Sequence, residues 1–304
     1  RAPPRTARGL SHDPGMSRFS HFAAIDWSGA QGPRQRGIAV AICAADPVSG
    51  PALVRPGHIW SRQDVLDWLL HEMPPATLVG LDLGPSLPFA DKGAFFPGWD
   101  RSPPEARSLW ALVEEICADD PHLGAGSFVD HPEAARHFRR HGGREGDLFG
   151  GGRGRLRVTE LAQQAQGLNP YSNLNLVGAA QVGKSSLTGM RVLHRVQQHV
   201  PIWPFDADPG TGSLIVEIYT SLAALAAGKR KGQTKILGPE LDGCLARFAC
   251  PPHVPLDGPY SDHATDALLS AAWLRLVHDR PMLWKPSGLT ADLARTEGWT
   301  FGVN

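Results

Sequence analysis

The run TLVGLDL (77–83) is apolar without a break from Leu78 until it reaches Asp82. A run this short and continuous reads as a strand covered on both faces, as in parallel sheets, and such a sheet needs helices on either side. Two further runs share the design. They are FAAIDWSG (22–29), with Asp26, and SLIVEIY (213–219), with Glu217. A fourth acid, Asp266, lies in SDHATDALLSAAW (261–273), which reads as a helix. Charge is kept out of buried elements unless it is paired or binds a metal. Four such placements, far apart in sequence, point to one carboxylate cluster assembled by folding.

The other elements follow the same logic. GIAVAICA (37–44) and ALVRPGHIW (52–60) are apolar runs separated by polar or Gly/Pro segments, as in hairpins. SRQDVLDWLLHEM (61–73) reads as a helix that Ser61 can cap, and Pro74-Pro75 stops it. From 84 to 210 the chain is Gly-, Pro- and Arg-rich, with helical stretches at 105–119, 158–167 and 188–200. It reads as a mainly helical insertion. Strand 213–219, a short helix at 221–232, a variable segment at 236–258 and a strong helix at 261–279 follow.

The expected fold is therefore α/β, with a mixed five-stranded sheet: three antiparallel strands, then parallel ones joined by helical crossovers, with helices on both faces. The core is expected in 19–83 and 211–280, and 281–304 reads as an irregular C-terminal tail. Residues 1–18 are basic, Pro/Gly-rich and without the apolar stretch of a secretory signal. They are expected to be a disordered tail, with Met16 a candidate start.

Bulk composition excludes little. With 30 Lys+Arg against 30 Asp+Glu, no net field draws nucleic acid to the whole surface, so such contact must come from local patches. No run of about 18 apolar residues marks a membrane span. The four cysteines (43, 117, 244, 250) show no CxxC spacing and read as buried thiols of a cytoplasmic protein.

The order of elements and acids resembles the RNase H-like superfamily. There, an acid on the first strand and an acid ending the fourth are completed by acids on the last helix. More closely, the chain resembles the uncharacterised family of predicted RNase H-like nucleases known as domain of unknown function 429. The resemblance rests on AIDWSGA with Asp26, on LDLGPSLP (81–88), on EIY (217–219) and on DHATDALLSAA (262–272), and covers about 19–280. Two departures are Gly84 directly after the Asp-Leu pair, and Thr220 where relatives tend to have Pro.

The resemblance implies a nuclease using Mg²⁺ or Mn²⁺, in which two ions stabilise charge on the attacking and leaving oxygens of a phosphodiester. Asp26 would bridge the ions, Asp82 would complete one site and Asp266 the other. Asp262, His263 and Asp266 share one helix face by their spacing. His263 would orient water or shuttle a proton, and Glu217 would be a ligand or base. Each acid also has a structural reading: Asp262 as a helix cap, Glu217 as the partner of a buried Arg.

Candidate substrate contacts are Ser28, Lys184, Arg153, Arg155, Lys229 and Arg230. Arg153 and Arg155 belong to a run of seven arginines between 136 and 157, beside Phe138 and Phe149, which would either stack bases or anchor the loop. Lys184 ends GAAQVGKS (178–185), a formal phosphate-loop match. Its flanks argue against the motif, because LNLV is a poor strand and Gly189 sits in the following helix. Two other functions stay open. One is a nucleotide-binding or phosphotransfer protein, through that loop or as a relative of actin-like ATPases; the other is a non-catalytic binding module.

Overall fold

In β1 (His21–Asp26) alternate residues serve opposite layers. Ala23 and Ile25 enter one apolar cluster, and Phe22 and Ala24 enter the other. This is why the run needs no polar residue until its end. The computed structural model describes residues 18–178 and 182–304. The tail expected at the N-terminus lies, but for Arg18, outside the described residues.

After β1 come β2 (Ala39–Ala44), β3 (Ala52–Leu53), α1 (Arg62–Asp67) and β4 (Thr77–Asp82). Helices α2 (Ala106–Ile116), α3 (Gly126–Val129), α4 (Val158–Ala165) and α5 (Val182–Val196) lie between β4 and the short strand β5 (Ile202–Trp203). Then follow β6 (Leu214–Glu217), α6 (Thr220–Ala226), α7 (Gly238–Ala246), α8 (Asp262–Val277), α9 (Pro281–Trp284) and α10 (Ala291–Thr296). A π-helical turn (Trp68–Glu72) extends α1 up to the two prolines.

The sheet order is β3-β2-β1-β4-β6-β5. Strands β1, β2 and β3 pair antiparallel; β1–β4, β4–β6 and β5–β6 pair parallel. The sheet is mixed, as expected, but has six strands rather than five. Strand β5 is only two residues long, held between Pro201 and Pro204, and gives no periodic signal. One face of the sheet packs on α1, α2 and α5, the other on α6, α7 and α8. Gly80 lets the second layer close in, since a Cβ there would stand 2.7 Å from Ile218 Cγ2 and 3.0 Å from Leu274 Cδ1.

Two regions depart from the expectation. The segment 84–210 supplies most of one helical layer and an edge strand, so it is part of the core. The segment 281–304 is not irregular. It carries α9 and α10 and buries Trp299, Phe301 and Val303 in the second cluster. Phe138 and Phe149 are fully buried, so they anchor the Arg-rich loop and do not stack bases.

Candidate active site

Asp26 and Asp82 end neighbouring parallel strands and are direct register partners. Adjacent strands run about 4.8 Å apart, so the two carboxylates rise side by side at one edge of the sheet. Helix α8 begins over this edge. Ser261 caps it by accepting from Ala264 N at 3.1 Å, and the first turns then deliver Asp262, His263 and Asp266. These five residues, together with Glu217, line one cavity of about 470 Å³.

The contacts are specific. His263 Nδ1 lies 3.2 Å from Asp26 Oδ2. Gly37 leaves room for that ring, since a Cβ there would stand 3.3 Å from His263 Nε2 and 3.1 Å from Ser28 Oγ. Thr220 Oγ1 donates to Asp82 Oδ2 at 3.2 Å. The Thr220 hydroxyl therefore supports an acid of the site. Lys235 pairs with Asp262 at the rim.

Burial pushes the Asp26 carboxyl up, against the pull of His263. Burial and the charges of Asp26 and Asp266 push Asp82 well above the usual carboxylate range. Burial, with Asp26 and Asp262 nearby, raises Asp266 to about 7. His263 is pushed up too, chiefly by its hydrogen bond to Asp26. The cavity thus crowds carboxyl groups that are each pushed toward the protonated form, and neither Asp82 nor Asp266 has an ion-pair partner among the described residues.

Glu217 behaves differently. Arg157 donates to both of its oxygens, at 2.6 and 3.0 Å, and Thr300 Oγ1 donates to Oε1 at 2.9 Å. The same guanidinium holds Glu160 Oε1 at 2.9 Å and the Glu297 carbonyl at 3.0 Å. The expectation of Glu217 as ligand or base gives way to its other reading, the partner of a buried Arg. Its carboxylate is spent on fastening the C-terminal segment to β6.

The expected substrate contacts scatter. Ser28 stands beside the site, its Oγ accepting from Ala30 N at 3.2 Å. Lys184 lies on α5 and faces a second cavity of about 800 Å³. Arg155 is a loop staple, donating to Asp91 and to the carbonyls of Pro88, Ala94 and Phe95. Arg153 binds Asn169, and Lys229 pairs with Glu240 at 3.1 Å. Arg230 forms a local bridge with Gln233. None of these last four lines the acid cavity; each is used to hold its own loop or, for Arg155, to tie it to the 88–95 loop. Within 178–185, residues 179–181 lie outside the described residues; before α5 the described chain shows an isolated bridge at Asn175 and no strand.

Sequence reasoning passed over Tyr171, Asn173 and Tyr219, which also line the acid cavity. Asn173 had one legible trace: Gly84 is small because a Cβ there would stand 2.1 Å from Asn173 Nδ2.

Among the described residues, no group of three or more His, Cys, Asp or Glu side chains is arranged as a ready-made metal cage. The donor chemistry nevertheless fits a hydrated hard cation. Mg²⁺ keeps several waters and needs only one or two carboxylates from the protein. Asp26 and Asp82 supply that pair, with Asp266 alongside. Comparison with protein-family models, curated proteins and solved structures found no match. Among the described residues, no helix is long and apolar enough to cross a membrane.

Proposed function

We propose that this chain is a divalent-metal-dependent nuclease of RNase H-like architecture that hydrolyses phosphodiester bonds of nucleic acid. The observation that carries the reading is the register pair Asp26–Asp82, joined by Asp266 in one cavity, with neither Asp82 nor Asp266 in an ion pair among the described residues. Leaving buried like charges together costs stability, and their mutual repulsion is relieved only by protons or by a bound cation. The sheet order, with acids ending β1 and its parallel neighbour and further acids on a late helix, supports the architecture.

Asp26, Asp82 and Asp266 would hold Mg²⁺ or Mn²⁺, with Asp262 at the rim. When bound, the ions supply charge stabilisation on the attacking and leaving oxygens. The chain's own residues do the rest. Asp26 fixes the His263 ring through Nδ1, leaving Nε2 as the atom that takes or gives a proton near Ser28. Thr220 holds the Asp82 carboxylate in place. Arg157 and Glu217 fix the neighbouring wall.

The test is cleavage of labelled single- and double-stranded DNA and RNA with Mg²⁺ or Mn²⁺. Cleavage by the wild type that disappears in both Asp26→Asn and Asp82→Asn is expected. A wild type that cleaves none of these substrates with either metal would refute the reading.

A further inference from the structure

The larger cavity, about 800 Å³, lies on the other side of the β1–α5 wall. That volume falls within the range of small-molecule sites, roughly 300–1,000 Å³. Its wall is thin. Lys184 lines this cavity and Ser185 the acid one; Thr188 lines this one and accepts at 3.1 Å from Trp27 Nε1, whose residue lines the other.

Four cations line it: Arg62, Arg140, Arg144 and Lys184. Arg62 is 2% exposed and donates only to the neutral carbonyls of Ser28, Ala30 and His122. Among the described residues no carboxylate pairs with it, although buried cations are ordinarily paired. Lys184 has no ion-pair or hydrogen-bond partner for its ammonium among the described residues. Arg140 Nε is buried without a hydrogen-bond partner among the described residues, while its Nη1 lies 3.2 Å from Asp130. Two acids line the cavity, Asp120 and Asp130. The first accepts from Ser127 through both its oxygens, and the second is shared by Arg140 and Arg144. The balance is an excess of cations with at least one donor left open.

We propose that this cavity binds phosphate, and that the phosphate belongs to the strand of nucleic acid whose neighbouring linkage enters the acid cavity. The proposal rests on the nuclease reading for the source of the phosphate, but not for its chemistry. Guanidinium and ammonium groups recognise phosphate oxygens, and a shared thin wall suits consecutive linkages of one strand.

The experiment is fluorescence anisotropy of a labelled single-stranded oligonucleotide with EDTA present, so that binding is read without cleavage. Lys184→Gln and Arg140→Gln are each expected to weaken binding about 5-fold and the double variant about 25-fold, with a salt dependence shallower by about two counterions. Arg62 is left intact because it ties two loops, at Ser28–Ala30 and at His122, to α1, and thermal melts check the fold of each variant. Inorganic phosphate and ATP serve as competitors. Weak competition by both supports the polynucleotide source. Displacement by ATP at concentrations matching the oligonucleotide's affinity keeps the phosphate site but overturns that source. Equal binding by wild type and double variant overturns the site, and leaves the nuclease reading standing if Asp26-dependent cleavage is seen. The expected binding pattern without cleavage would instead sink the nuclease reading alone.

Discussion

Two sets of buried or half-buried acids line the same cavity and have opposite fates. Glu217, on β6, is clamped by Arg157, which also holds Glu160. Asp82, on the adjacent strand, meets a threonine hydroxyl and two further carboxylates. Fold building explains the first set, because a paired buried charge can fasten distant segments together. It does not explain the second, whose mutual repulsion works against the folded state. Acids left without an ion pair, where pairing is available a strand away, support the proposed cation site.

The largest effect that would sharpen this contrast is on chemistry. Asp26→Asn is expected to lower metal-dependent cleavage at least about 1,000-fold, read by gel assay, while its metal-free melting temperature holds or rises. A fall in stability would mean that the acid is structural after all. The mirror-image variant is Arg157→Met. It strands Glu217 and Glu160, and urea unfolding should show a loss of about 3–5 kcal/mol. Unchanged stability there would erase the distinction between the two sets.

Next comes pH. In the folded state Asp266 holds its proton up to about 7, whereas an unfolded chain releases it near the ordinary value of about 4. Between those values the native state binds more protons, so metal-free stability should fall as pH rises through this window. Added Mg²⁺ should restore roughly 5 °C of melting temperature at pH 8 and much less at pH 5, where protons compete. A melting temperature that rises with pH and ignores Mg²⁺ would contradict the account. His263→Gln should cost about 10–100-fold in rate with little change in Mn²⁺ affinity, which separates proton handling from metal binding. The smallest effect is expected from Thr220→Val, a few-fold loss in rate at unchanged fold, because it removes one hydrogen bond to Asp82.

Much of the acid cavity's lining was legible in the sequence because its cues are local. A continuous apolar run closing on Asp82 is a both-faces-buried strand, and the spacing of Asp262, His263 and Asp266 fixes a shared helix face. What remained hidden depends on long-range pairing. Arg157 and Glu217 are 60 residues apart, and nothing near either announces the other. Strand β5 and the buried Trp299 and Phe301 exist because the sheet edge and β6 offer partners, not through any periodicity of their own. The Arg-rich loop misled for a physical reason: most of its guanidinium groups face carboxylates or carbonyls of the same loop or its neighbours, so composition overstated its free charge.

The central claim is that Asp26, Asp82 and Asp266 form a cation site and Glu217 does not. Isothermal titration calorimetry with Mn²⁺ at pH 7.5 tests it directly. Sub-millimolar binding to the wild type is expected, retained in Glu217→Gln and weakened at least about 10-fold in Asp26→Asn. Binding that is absent from the wild type at millimolar Mn²⁺, or undiminished in Asp26→Asn, would contradict it.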